Sequence, residues 1–267
     1  MKIIRPSQGN ALSTLAARAS EREVALESDW PPALFTHPYA REMKREFCYF
    51  DDFTKYLAVT NGVVTCDRTW TNERSSGGVI QQSYAGHPGI LNQTAANVNN
   101  RSSLTLGSGS IGALLAVGGY DEIDLEGLLR NPFTLDGVDI WTTFFGLSSS
   151  GSPSIWGSYY AVGFALNYTN TGVNWLCYAK DGATDNSQSS GVEAVATNWM
   201  KLRLTLDATN FKWYIDGNLV RTLSRTASGI PLTQNVKPMF GVMKTLGSTT
   251  RSTMIDYIFF KARLGRA

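Results

Sequence analysis

The sequence predicts an all-β fold, organised as one large antiparallel sandwich, and three observations carry that expectation. In residues 198–220 the apolar side chains Leu202, Leu204 and Leu206 alternate with Lys201, Arg203 and Thr205, the period of a strand with one face buried. Phe211, Trp213, Tyr214 and Ile215 follow, then Asp216-Gly217, a pair tolerant of a left-handed turn, before Leu219 and Val220 resume a strand. Comparable runs recur along the chain, cut by clusters of Gly, Asn, Ser and Pro. The composition agrees: 25 glycines and only 17% charged residues suit many strands and tight turns, and 43% hydrophobic residues supply a core.

Residues 1–46 differ from the rest and read as an N-terminal arm. Asn10 is placed to cap a short helix carrying Leu12, Leu15, Ala16 and Ala19 at helical spacing, with the charged residues of 18–27 on its solvated side. Trp30-Pro31-Pro32 then forces extended backbone, and Leu34, Phe35, Pro38 and Tyr39 follow with neither period. Such a segment has no means of burying large apolar groups by itself, so Trp30, Phe35 and Tyr39 are expected to anchor it on the body or on another subunit. From Phe47 onward strands are expected at 47–53, 62–70, 77–83, 89–95, 102–107, 111–117, 120–129 and 139–147. Further strands follow at 159–168 and 173–179, then the pair in 198–220, then 238–245 and 254–264. The polar stretch 180–191, KDGATDNSQSSG, reads as a plain hairpin loop. No repeat at solenoid or propeller period is visible, which leaves one body at 47–267.

Several function classes are disfavoured at once. A formal charge of +2, with basic residues scattered and not gathered into a stripe, argues against nucleic acid as a partner. Cys48, Cys66 and Cys177 have neither disulfide-framework nor zinc spacing and read as small buried hydrophobes of a reducing compartment. His37 and His87 are too few and too far apart for a metal triad or a Ser-His-Asp site, and His87 in GHPG reads as a turn residue. The glycines of 107–119 match no phosphate-binding loop. Asp181 and Asp185 carry oxygen ligands, but without a calcium-loop pattern. No cofactor and no metal are expected. The opening MKIIRPSQGN holds no signal-length apolar stretch, and no run approaches the about 20 apolar residues of a membrane helix, so neither export nor membrane insertion is expected.

The order FDDF near 50, GHPGIL at 86–91, EIDLEGLLR at 122–130 followed by an FGL strand, NWMKLRLTLDATNFKWYIDG, and a terminal IDYIFFKARL resembles the concanavalin A-like lectin/glucanase (laminin G-like) jelly roll. More narrowly, it looks like the version of that domain in structural proteins of tailed bacteriophages. The resemblance covers about residues 47–267 and implies that first and last strands are neighbours, with Phe50, Phe53, Ile258 and Phe260 close together. It implies a non-enzymatic virion protein made in the host cytoplasm: a capsid decoration, tail-fibre or adhesin module. Its expected partners are other virion proteins, further copies of itself, and a host-surface glycan.

Two sets of residues bear on chemistry. Glu122, Asp124 and Glu126 alternate along a strand and leave one face while Ile123 and Leu125 leave the other. This is similar to the active-site strand of laminarinase- and lichenase-like hydrolases. By that likeness Glu122 is the nucleophile, Asp124 its orienting partner and Glu126 the acid/base, with the two catalytic groups about 5–5.5 Å apart in a retaining enzyme. The tryptophan-rich segment that usually precedes that strand is replaced by LLAVGGY, and alternation on any wet strand face produces the same pattern. Catalysis is therefore the alternative reading. The second set is aromatic: Trp156, Tyr159 and Tyr160, with Trp175 and Tyr178 on the next run, are candidates for a sugar-stacking rim. Against this, a large sandwich needs aromatics in its core.

Overall fold

The computed structural model describes residues 46–51, 53, 58–60, 63–65, 70–75, 78–84, 87–96, 98–106, 120–132, 138–150, 159–168, 174–182, 184–196, 198–230 and 235–264. In chain order the strands begin with β1 (Glu46–Asp51), β2 (Ala58–Thr60), β3 (Val63–Thr65), β4 (Trp70–Ser75), β5 (Gly78–Tyr84) and β6 (His87–Ala95). Next come β7 (Arg101–Leu106), β8 (Tyr120–Arg130), β9 (Ile140–Ser148), β10 (Tyr160–Tyr168), β11 (Asn174–Asp181) and β12 (Gln188–Glu193). The chain continues through β13 (Met200–Leu206), β14 (Asn210–Ile215) and β15 (Asn218–Ser224) to a one-turn helix α1 (Arg225–Ser228), then β16 (Lys237–Leu246) and β17 (Arg251–Leu264).

Antiparallel pairing builds two sheets that stack as a sandwich, consistent with a jelly roll. One runs β15-β14-β13-β8-β17-β6-β5, with β1 also on β17; the other runs β12-β11-β10-β9-β16-β7-β4; β2 and β3 pair separately. The first and last strands are neighbours as expected: Tyr49 faces Phe260 and Asp51 faces Ile258. Phe53 adopts a left-handed backbone (φ 51°), its amide donating to Asp51 Oδ1 at 2.8 Å, and its ring enters the core that holds Ile258 and Phe260.

Local chemistry explains the best-formed region. Leu202, Leu204 and Leu206 pair with Ile215, Trp213 and Phe211, and all six are buried. Asp216 and Gly217 both take positive φ, as a tight hairpin turn requires, and Asp216 Oδ1 accepts from the Lys201 amide at 2.8 Å. Trp213 crosses the core to donate Nε1–H to the Gly163 carbonyl at 2.5 Å, tying the two sheets together. Helix α1 starts on Ser224, whose Oγ accepts from the Ala227 amide at 3.0 Å, and stops at left-handed Gly229.

Within the expected strand at 62–70, Val63–Thr65 form β3 and Trp70 opens β4, and the expected loop at 180–191 ends in strand β12. Neither the arm, with Trp30, Phe35 and Tyr39, nor the run 111–117 lies among the described residues, and Trp156 is likewise outside them.

The interior is not uniformly apolar. Where β9, β16 and β17 meet, Asp139 Oδ1 lies 3.0 Å from Lys244 Nζ and Oδ2 lies 2.5 Å from Arg251 Nη2, with all three side chains at most 5% exposed. The Thr249 amide also donates to Asp139 Oδ1, and the Arg251 guanidinium sits 4.7 Å from the Trp141 ring centre. A second apolar cluster, Phe144, Ala161, Ala165, Tyr178 and Met239, occupies the outer side of the seven-stranded sheet, apart from the main core.

Candidate functional site

Strand β8 lies inside the eight-stranded sheet, between β13 and β17, and its alternation is as read from sequence. Ile123 and Leu125 are fully buried in the core, while Glu122, Asp124 and Glu126 stand on the outer face. The neighbouring strands supply each carboxylate with its own partner. Asp124 receives a bidentate bond from Arg203 on β13, Nε to Oδ1 at 2.8 Å and Nη2 to Oδ2 at 2.6 Å. Glu122 Oε2 is 3.1 Å from Arg263 Nη2, and its Oε1 is 4.0 Å from Lys261 Nζ. Glu126 Oε1 accepts from the Tyr257 hydroxyl at 2.8 Å. The Asp124 carboxylate holds the Arg203 guanidinium above its usual pKa. Burial, reinforced by the bond and charge of Glu126, pushes the Tyr257 phenol well above its usual range.

The directions of these contacts matter for chemistry. Glu122 and Glu126 are about 13 Å apart along the strand at about 3.3 Å per residue, so they must lean together to act as a pair. Instead Glu122 turns to Arg263, directly opposite it on β17, whereas Glu126 turns past its own partner Phe259 to Tyr257, inside the register shift between Ile255 and Ile258. The site is a lattice of cross-strand charge pairs on a sheet face, with Arg203 and Arg263 side chains 44% and 51% exposed.

The aromatic set separates in the same way. Trp175 is corrected to a core residue: it is 1% exposed, packs edge-on to Phe164 at 6.4 Å, and points Nε1 at Met200 Sδ, so it offers no ring face to a ligand. Strand alternation sends it inward with Cys177, whose free thiol is pushed up to about 12 by burial, while Tyr178 goes outward into the second cluster. Tyr160 is half-buried against the core; Tyr159, at 38% exposure, keeps an accessible ring beside the 151–158 stretch. Asp181 and Asp185 cap their own loop, accepting from the Thr184 and Ser187 amides. Among the described residues no three acidic, His or Cys side chains gather for a metal ion. His87, read from sequence as a turn residue, is instead the first residue of strand β6, opposite Tyr84. No described helix is long and apolar enough to cross a membrane. Sequence reasoning missed Arg203, Tyr257, Lys261 and Arg263, which become visible as partners only once register sets β13 and β17 beside β8.

No protein-family model and no curated protein matches the sequence. Solved structures do match in fold: the structural neighbours are concanavalin A-like lectin and glycoside hydrolase family 16 sandwich domains. A protein of unknown function from Shewanella oneidensis MR-1 is 15% identical at a TM-score of 0.60, with 83% of this chain and 89% of that one covered. A family 16 endo-glucanase from Bacteroides ovatus is 12% identical at 0.53, covering 79% and 99%. The carbohydrate recognition domain of Emp46p is 15% identical at 0.50, covering 76% and 95%. At these identities the likeness is one of fold, shared by an endo-glucanase and a carbohydrate recognition domain, and fold does not fix function.

Proposed function

We propose that the chain is a non-enzymatic, lectin-like sandwich module that recognises a saccharide and serves as a structural part of a phage particle. The observation that carries the non-enzymatic reading is the pairing on β8. A retaining glycosidase needs one carboxylate to attack and a second to deliver a proton to the same bond. Here Glu122 is engaged by Arg263, Asp124 by Arg203, and Glu126 accepts a proton-donating contact from Tyr257 in the opposite direction. The saccharide part is supported by the fold class and by the accessible Tyr159 ring. The particle, its other proteins as partners and the host cytoplasm as place of synthesis are supported by the sequence resemblance and by the arm at 1–46.

Incubation with laminarin, lichenan and bacterial surface polysaccharides is expected to release no reducing ends above the protein-free control. Release that disappears in Glu122→Gln would overturn the non-enzymatic reading. Retention on a glycan array is expected to weaken in Tyr159→Ala, and mass spectrometry of purified particles is expected to find the polypeptide.

A further inference from the structure

Across strands β17, β8, β13 and β14, Phe259, Glu126, Arg203 and Tyr214 occupy successive register positions. All four leave the outer face of the eight-stranded sheet, because their chain neighbours Phe260, Leu125, Leu204 and Trp213 fill the core. The row has an aromatic ring at each end with a carboxylate and a guanidinium between, and it spans about 14 Å at about 4.8 Å per strand. Every member is partly accessible. Glu126 and Arg203 stand directly opposite each other, yet they do not bond to each other. Arg203 reaches diagonally to Asp124 through Nε and Nη2, with its Cζ 5.7 Å from the Tyr214 ring centre, and Glu126 turns Oε1 to the Tyr257 hydroxyl. Arg203 Nη1 and Glu126 Oε2, on adjacent strands, therefore make no hydrogen bond among the described residues.

We propose that this row binds a neutral glycan, with sugar hydroxyls bridging Arg203 Nη1 and Glu126 Oε2 and the C–H faces of the rings lying on Tyr214 and Phe259. This assignment rests on the saccharide reading above and gives it a place and a ligand class. A guanidinium only donates and a carboxylate only accepts, so a surface with one of each unspent suits groups that do both, as hydroxyls do. The bonds to Asp124 and Tyr257 already hold the two side chains, which leaves little rotamer freedom to lose on binding. Charge selects the class. Asp124 is paired with Arg203 and Glu122 with Arg263, whereas Glu126 has the uncharged Tyr257 as its partner and no ion pair among the described residues. An acidic sugar meets that uncompensated carboxylate and is repelled; a neutral one is not. The row lies on the other sheet from β10, which Tyr159 precedes, so the two contributions are separable.

Affinity electrophoresis of the full chain through gels containing laminarin, mannan or dextran tests the neutral class, and alginate or polygalacturonate the acidic one. Retardation by at least one neutral polysaccharide and by neither acidic one is expected. Arg203→Lys keeps a cation for Asp124 but removes Nη1, and Glu126→Gln keeps an acceptor for Tyr257 but removes the anion. Each is expected to weaken retardation on the order of tenfold, the scale of one hydrogen bond to a charged group. A Tyr214→Leu, Phe259→Leu double variant leaves both charged side chains in place; it is expected to lose retardation too, and it decides the matter where a charge variant fails to fold. Neutral retardation that survives undiminished in the folded variants, or equal retardation by alginate or polygalacturonate, would overturn the assignment to this row and leave saccharide recognition standing. A wild-type chain retarded by none of these polysaccharides would overturn both.

Discussion

Asp139 shows what one residue does in this fold. Its carboxylate is shared between Lys244 and Arg251 in a setting with at most 5% exposure, and Lys244 Nζ also donates to the carbonyls of Ala96 and Thr249. Burial pushes the Asp139 pKa up, but the bonds from Lys244 and Thr249 and the Lys244 charge outweigh it, leaving the carboxyl below its usual value. Removing the shared anion leaves two buried cations uncompensated, so Asp139→Ala is expected to cost about 3–5 kcal/mol in urea denaturation. A depressed carboxyl stabilises the fold above the unfolded value of about 3.9 and loses that contribution as pH falls through its lower folded value. The wild-type chain is therefore expected to lose stability below about pH 4 more steeply than Asp139→Asn. Parallel acid profiles would refute the assignment. Nothing in the sequence singles out this aspartate, since its partners come from strands more than a hundred residues downstream.

Elements were legible where their information is local. The β13–β14–β15 meander, with its alternating leucines and Asp216-Gly217 turn, follows the reading residue by residue because short-range sterics and one buried face set it. Strand β12 was not legible: its residues alternate only weakly between exposed and half-buried, and its pairing with β11 supplies what apolar periodicity does not. Trp175 was misread because a core aromatic and a sugar platform have the same composition, and only the inward phase of β11 tells them apart. The acidic strand β8 was placed correctly, but its partners Arg203 and Tyr257 lie 79 and 131 residues away, so the cross-strand lattice was invisible. The β9–β10 pair carries a sharper demand. A Cβ on Gly163 would stand 2.3 Å from the Phe145 carbonyl oxygen and 2.5 Å from Gly146 Cα, both backbone atoms that do not yield. Gly163→Ala is expected to destabilise by about 1–3 kcal/mol in thermal or urea unfolding and to disturb the Trp213 bond to the Gly163 carbonyl. A near-ultraviolet spectrum and midpoint unchanged from wild type would show that the pair opens without cost.

At the scale of the whole molecule the last strand holds the fold together. Strand β17 pairs with β8 along its length, with β6 at its start and with β1 at its end, so three neighbours depend on it. It also places Ile255, Ile258, Phe260 and Ala262 in the core and Arg251 against Asp139. The eight-stranded sheet thus joins the N-terminal and C-terminal ends of the body, and its closure waits for the last residues of the chain. Contacts of such long sequence separation place folding in the milliseconds-to-seconds range expected of sandwiches. A chain ending at Thr250 is expected to lack a native near-ultraviolet circular dichroism signal and to be digested by trypsin several-fold faster than the full chain. The loss follows from geometry as well as from lost area: without β17, β8 and β6 both become edges and the core face of the sheet is cut through its middle. Adding back a synthetic peptide of residues 251–264 is expected to restore part of the signal, since the groove between β8 and β6 is complementary to that strand alone. A truncated chain with the full signal and wild-type protease resistance would mean that the sheet closes without its central strand.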